Sequence, residues 1–155
     1  MVKIGIGQDS HKFKEGKQLV LGGITVENSP GLKANSDGDV VLHALCNALS
    51  SAVGKGSIST YADNLCLEKG IKDSKEYVKV ALGFVKEASY KVNNISIVVE
   101  AKQPKLESYL PKMKKSIATL CNAETGITVT SGEGLTAFGR GEGIQAIAIV
   151  SLIKC

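Results

Sequence analysis

In the stretch "SDGDVVLHALCNALSSAV", Ser36–Val53, a polar turn runs directly into fourteen mostly apolar residues. Asp39 stands immediately before the apolar run, where a short acceptor side chain caps free backbone N–H groups. The pattern therefore predicts a helix over 40–53 with Asp39 as its N-cap. The chain on either side changes period. Upstream, "KIGIGQDSH" (Lys3–His11) alternates apolar and polar residues and predicts a strand, followed by a turn around "KEGK" (Lys14–Lys17). "QLVLGGITVE" (Gln18–Glu27) predicts a hairpin bent at Gly22-Gly23. Downstream, residues 54–73 carry no clear period and read as a long surface loop, a kind of segment that often carries function.

"DSKEYVKVALGFVKEASYKV" (Asp73–Val92) predicts a second long helix, with Asp73 and Glu76 spaced as a capping box. "ISIVVEA" (Ile95–Ala101) is rich in β-branched residues and predicts a strand. A third helix is expected over 107–122, with Pro111 tolerated in its first turn. "GITVTS" (Gly126–Ser131) and "GIQAIAIVSLIK" (Gly143–Lys154) close the chain as a short and a long strand. Strands and helices interleave over the last two thirds. The expected fold class is α+β, a mixed β-sheet with helices packed on one face, in a single domain over residues 1–155.

Composition narrows the function classes. The net charge of +4 suits small anionic substrates but falls short of a nucleic-acid-binding surface. The one dense basic cluster, "PKMKK" (Pro111–Lys115), reads as the solvated side of an amphipathic helix, because Leu110, Met113 and Ile117 recur at helical spacing. No apolar run approaches the roughly 20 residues that span a bilayer. The opening "MVKIGIGQDS" breaks into polar residues too early for a secretory signal. Cys46, Cys66, Cys121 and Cys155 lack metal-binding or redox spacing and are expected as reduced thiols. A cytoplasmic enzyme or binding protein, with neither nucleic acid nor membrane as partner, is the expectation.

The chemistry-bearing residues begin with the two histidines. In a strand, side chains two apart share a face, so Asp9 and His11 point the same way, roughly 6.6 Å apart at Cβ. His43 lies one turn inside the helix that opens at Asp39. One aspartate and two histidines make a three-ligand set with a fourth tetrahedral position open, the pattern of a catalytic zinc. Spacing alone leaves two readings open, because D-x-H also occurs by chance and a lone helical histidine is most often a satisfied core residue. "NSDGD" (Asn35–Asp39) leads into a helix N-terminus, where free N–H groups favour phosphate. "TSGEGLTAFGRGEG" (Thr130–Gly143) holds five glycines in fourteen residues, which suits either an anion-cradling nest or a flexible turn.

Taken in order, "GQDSHKF", "LGGI", "SDGDVVLHAL", "KDS", "QPKL" and "GRGEGI" resemble the 2-C-methyl-D-erythritol 2,4-cyclodiphosphate synthases, enzymes of non-mevalonate isoprenoid biosynthesis, across essentially the whole chain. The resemblance implies a three-fold symmetric homotrimer with active sites between subunits. The implied activity is cyclisation of 4-diphosphocytidyl-2-C-methyl-D-erythritol 2-phosphate with release of CMP. It implies Zn²⁺ at Asp9, His11 and His43, and a second ion, Mg²⁺ or Mn²⁺, at Glu133. Asn35, Ser36 and Ser131 are implied phosphate contacts, with Asn35 and Ser131 supporting the transition state; Asp39 is an implied orienter of His43. Ser57 and Asp63 fall where substrate hydroxyls bind. Ala101, Pro104, Lys105 and Leu106, with Thr130, fall where the cytidine binds. Arg140 and Glu142 match residues around a trimer-axis cavity that can hold an isoprenoid diphosphate.

The chain departs from the family pattern at several points. Asn35 stands where histidine is usual and can donate a hydrogen bond without carrying charge. Ser57 replaces a carboxylate, Gly134 a lysine and Ser131 a threonine. Two other functions compete with the synthase: a catalytically weak zinc protein that binds isoprenoid diphosphates, and a metal-dependent phosphoesterase that yields a linear product.

Overall fold

The structure is a computed structural model that describes residues 1–155. Strand β1 (Val2–Leu21) turns through Gly22-Gly23 into β2 (Ile24–Leu32). Both glycines have positive φ, +62° and +77°, the backbone that a tight two-residue hairpin requires. Helix α1 (Val40–Ala52) follows, then a short helix α2 (Ser59–Asp63) that widens into a π-turn over Asn64–Glu68. Next come α3 (Ser74–Glu87), β3 (Tyr90–Glu100), α4 (Leu110–Cys121), β4 (Glu124–Thr130) and β5 (Gly143–Lys154). The five strands form one sheet in the order β2-β1-β5-β3-β4. Only β3 and β4 run parallel, joined by the crossover that contains α4, so the sheet is mixed as expected.

The helices lie on one face. Along β5, Ile144, Ala146, Ala148, Val150 and Leu152 are fully buried beneath them. α3 turns Tyr77, Val78, Ala81 and Val85 inward, and α4 turns Met113, Ile117 and Cys121 inward, at the three- and four-residue spacing of an amphipathic helix. Lys112 and Lys115 face solvent, as the amphipathic reading of "PKMKK" requires. No helix is long and apolar enough to cross a membrane.

The opposite face of the sheet is bare. Ile4 and Ile6 on β1 are 70% and 62% exposed, and Ile149, paired directly with Ile6, is 46% exposed. Val98 on β3 lies across from Ile147 and extends the same apolar strip.

Four local expectations are corrected. "KEGK" makes no chain-reversing turn; it is a bulge inside β1, where the register slips between Lys14 and Gln18 and Gly16 takes φ +74°. Residues 54–73 are not a structureless loop, since α2 and the π-turn bury Ala62 and Cys66 against the core. The helix expected over 73–92 stops at Glu87. Ser89 takes φ +63° and Tyr90–Val92 pair with β5, because sheet hydrogen bonds there outweigh helical periodicity. The capping box is half formed: Asp73 accepts from the N–H of Lys75, while Glu76 pairs with Lys79 at 2.7 Å.

Candidate active site

One face of β1 builds the floor of the site. Residues 5, 7, 9 and 11 alternate with Ile4, Ile6, Gln8 and Ser10 and point toward α1. The first two are glycines for a steric reason. A Cβ at Gly5 would lie 2.0 Å from the carbonyl oxygen of Ala48, and one at Gly7 would lie 2.1 Å from that of Ala44. The helix backbone therefore rests directly on the strand. Just past its contact with Gly7, the strand presents Asp9 and His11, and the first turn of α1 presents His43.

The three side chains converge. Asp9 Oδ2 lies 3.0 Å from His11 Nε2 and 3.0 Å from His43 Nδ1, and the three candidate ligand atoms lie within 4.8 Å of one another. Donors around a tetrahedral ion with bonds of about 2.0 Å sit about 3.3 Å apart, so the set is suited in chemistry and spacing to a divalent metal. His11 Nε2 supplies a further observation. It is buried and makes no hydrogen bond, its approach to Asp9 being off the line of one, which leaves a lone pair for a cation. Burial acts to raise the Asp9 carboxyl, but where the His11 and His43 rings carry a proton toward it, their hydrogen bonds and charge outweigh burial and hold the group at about 2. Asp9 is therefore ionised and ready to ligate at neutral pH.

This triad lies in a cleft of about 270 Å³ that is also lined by Ala34, Asn35, Ser36, Asp63 and Tyr77. Six residues singled out from the sequence thus meet there: Asp9, His11, His43, Asn35, Ser36 and Asp63. Ser57 stays outside the lining, bonded to Ser59 Oγ at 3.0 Å, and Ile58 and Ser59 take the wall instead. The loop carrying Asn35 and Ser36 is pinned from β1, where the Lys17 ammonium donates to the carbonyls of Ala34 and Ser36 at 2.9 and 2.6 Å. Burial lowers the pKa of Lys17.

Ala101, Pro104, Lys105, Leu106, Thr130 and Ser131 also converge, but in a separate pocket of about 50 Å³. Glu133 follows on the adjacent turn with φ +49°, its N–H donating to Ser131 Oγ, and it does not line the cleft of the triad. Arg140 and Glu142 form a two-point ion pair at 3.1 Å on the exposed surface. A wider groove of about 570 Å³ between α3 and α4, lined by Lys75, Lys79, Lys112 and Lys115, contains none of the candidate residues.

The role implied for Asp39 is corrected. Its carboxylate accepts from the N–H groups of Gly22, Gly23 and Leu42 at 2.9, 2.7 and 3.0 Å, tying the hairpin turn to the start of α1. It does not touch the His43 ring. Burial, and next the nearby Asp37, raise its pKa to about 6 against those three donors. The ring is held instead by Ser74, whose Oγ lies 2.8 Å from His43 Nε2. Sequence reading missed Ser74 and Asp37 behind the ring, and Lys17 beneath the Asn35–Ser36 loop. The "KDS" and "SDGD" stretches contain the first two, but nothing in their spacing points to His43.

The model of the YgbB family matches residues 2–153. The chain belongs to the YgbB family. Among relatives of this YgbB-family chain, a Chlamydia trachomatis (serovar L2b) protein named 2-C-methyl-D-erythritol 2,4-cyclodiphosphate synthase is 46% identical over 158 residues, covering 98% of this chain and 88% of that protein. A solved structure of 2C-methyl-D-erythritol-2,4-cyclodiphosphate synthase with CDP bound superposes with a TM-score of 0.89 at 32% identity, covering 97% of this chain and all of the other. The bifunctional IspDF of Campylobacter jejuni gives the same TM-score and identity, with this chain spanning 43% of its length. In the YgbB chain described here, the Asp9–His11–His43 cluster is the one group of three or more His, Cys, Asp or Glu side chains arranged to hold a metal ion.

Proposed function

We infer that this chain catalyses the metal-dependent cyclisation of 4-diphosphocytidyl-2-C-methyl-D-erythritol 2-phosphate to 2-C-methyl-D-erythritol 2,4-cyclodiphosphate, releasing CMP. The observation that carries the reading is the meeting of Asp9, His11 and His43 beneath Asn35 and Ser36 in one cleft, in a chain 46% identical to a named synthase. An oxygen of the 2-phosphate bonds to the β-phosphorus, and the bond from that phosphorus to the CMP oxygen breaks, the electron pair leaving with CMP. Acid–base demands on the protein are small because the nucleophile is already an anion. The protein's task is to fold a polyanion onto itself and neutralise its charge.

Asp9, His11 and His43 would hold zinc, and Glu133 the second ion, Mg²⁺ or Mn²⁺; when bound, such ions polarise phosphate oxygens and offset their charge. Asn35 and Ser131 donate hydrogen bonds to phosphate oxygens as charge builds, and Ser36 adds a third contact. Asp63, with Ser57 as a weaker partner, accepts from the erythritol hydroxyls. Backbone groups of Ala101–Leu106, together with Thr130, hold the cytidine.

The active unit is a homotrimer with sites shared between subunits. Two observations support this. The triad and the Ala101–Ser131 pocket are separate within one chain, and the strip of Ile4, Ile6, Ile149 and Val98 is an apolar sheet face of the kind that proteins bury. Arg140 and Glu142 then surround the three-fold axis, where the arginine can meet an isoprenoid diphosphate. Four free cysteines, three of them buried, suit a cytoplasmic enzyme. The reading as a catalytically weak zinc protein that binds isoprenoid diphosphates is not favoured.

The test is incubation of the purified protein with the cytidine-linked substrate, Zn²⁺ and Mg²⁺, followed by phosphorus NMR. Cyclic diphosphate with CMP is the expected result. CMP with a linear product would identify a hydrolase, and zinc binding without turnover would restore the binder.

A further inference from the structure

Behind His43, outside the lining of the cleft, runs a hydrogen-bonded chain that the cyclisation reading does not use. His43 Nε2, turned away from Asp9, lies 2.8 Å from Ser74 Oγ, and Ser74 Oγ lies 2.5 Å from Asp37 Oδ1. Ser74 is fully buried in the first turn of α3. Asp37 is itself held: Oδ2 accepts from the Ser74 N–H at 3.0 Å and Oδ1 from the Asp39 N–H at 3.1 Å. Three elements, the loop before α1, α1 itself and α3, are thereby linked through one imidazole.

We propose that Ser74 and Asp37 are positioning residues that fix the tautomer of His43, leaving Nδ1 unprotonated and directed at the metal position. The inference rests on the metal reading of Asp9, His11 and His43. A serine hydroxyl has one proton, and an ionised carboxylate can only accept. The short Ser74–Asp37 contact therefore commits that proton to Asp37 and leaves a serine lone pair for His43. Nε2 must then be the N–H of the neutral ring. Ser36 Oγ, at 3.3 Å from the same nitrogen, is the weaker neighbour and already accepts from the Gly38 N–H.

The consequence appears on the other side of the ring. With the proton on Nε2, the Nδ1 lone pair faces Asp9 Oδ2 at 3.0 Å. Two electron-rich atoms at that distance repel, and a cation between them relieves the repulsion. Without the relay, the ring could place its proton on Nδ1 and satisfy Asp9 directly, closing the site to metal. Ser74 and Asp37 thus favour ligation by making the metal-free arrangement the unsatisfied one. Neither residue need touch substrate.

The test uses the full-length protein. In the metal-free wild type at about pH 8.5, where imidazoles are neutral, nitrogen-15 NMR is expected to show His43 as a single Nε2–H tautomer. A predominant Nδ1–H form would overturn the assignment without need of any variant. In Ser74→Ala, zinc affinity measured by competition with a chromogenic chelator should fall about ten- to a hundredfold, and the His43 nitrogen shifts should move toward a tautomer mixture. Affinity within twofold of wild type with unchanged shifts would refute the proposal. His43→Ala checks the metal reading separately: if that variant keeps stoichiometric zinc, the triad is wrong, whereas the wild-type nitrogen spectrum decides the Ser74 relay by itself.

Discussion

Gly7→Ala tests how the strand and helix set the metal geometry. The new Cβ would lie 2.1 Å from the Ala44 carbonyl oxygen and 2.4 Å from the Ala48 nitrogen. Both are backbone atoms of α1, so no side chain can rotate away. Reaching even the 3.0 Å below which Cβ contacts are essentially never seen requires the helix to move off the strand by about 0.9 Å. His43 is carried by that helix, and Asp9 by that strand two residues beyond Gly7. Metal sites tolerate ligand displacements of about 0.2 Å, so the separation exceeds what the site can absorb. Overpacking of this kind costs about 3 kcal/mol of stability, and zinc affinity should fall at least about tenfold. Urea unfolding of the metal-free protein measures the first quantity, and chelator competition the second. Gly126→Ala on β4, where an added Cβ meets nothing within 4 Å, is the matched control and should change stability by no more than about 0.5 kcal/mol. If Gly7→Ala matches that control in stability and binds zinc like wild type, direct packing of α1 on β1 does not define the site.

Asp39→Ala should destabilise the fold by about 3 kcal/mol in urea unfolding. It removes the acceptor of three N–H groups, partly offset by relieving a buried carboxylate; a loss below about 1 kcal/mol would contradict that role. Asp9 should make the metal-free protein acid-sensitive. At acid pH, where imidazoles are charged, its folded value of about 2 lies below the ordinary 3.8, so the stabilisation it draws from the two rings is present above pH 3.8 and is lost as the pH falls toward 2. That loss amounts to about 2 kcal/mol, and Asp9→Asn should lack this component of the stability–pH curve. Ile149→Lys on the bare sheet face should break the proposed homotrimer, lowering sedimentation to that of a monomer while leaving the fold intact by circular dichroism. A wild-type chain that is itself monomeric at micromolar concentration would defeat the shared-site assembly.

Much of the architecture was legible because it is local. The Gly22-Gly23 hairpin, the cap at Asp39, the buried stripe of α4 and the whole of β5 follow from turn chemistry and periodicity within a few residues. The same alternation that marks β1 also sets Gly5, Gly7, Asp9 and His11 on one face. Where local signals competed, they misled. Tyr90–Val92 continue the apolar pattern of α3, yet they are taken by β5, whose Leu152–Lys154 sit beside them in space and 60 to 64 residues away in sequence. Residues 59–68 have no clear period because their shape comes from packing Ala62 and Cys66 onto the core, not from an amphipathic stripe.

The candidate site divides along the same line. The sequence by itself determined which residue types were available and that Asp9 and His11 share a face, because strand geometry requires it. That His43 joins them depended on how closely a helix can rest on a strand, which two missing Cβ atoms permit. That Ser74, 37 residues from Asp37, closes behind the ring depended on where α3 docks against α1. Such contacts are set by the packing of elements distant along the chain, and a linear pattern carries no record of them until the core that brings them together has formed.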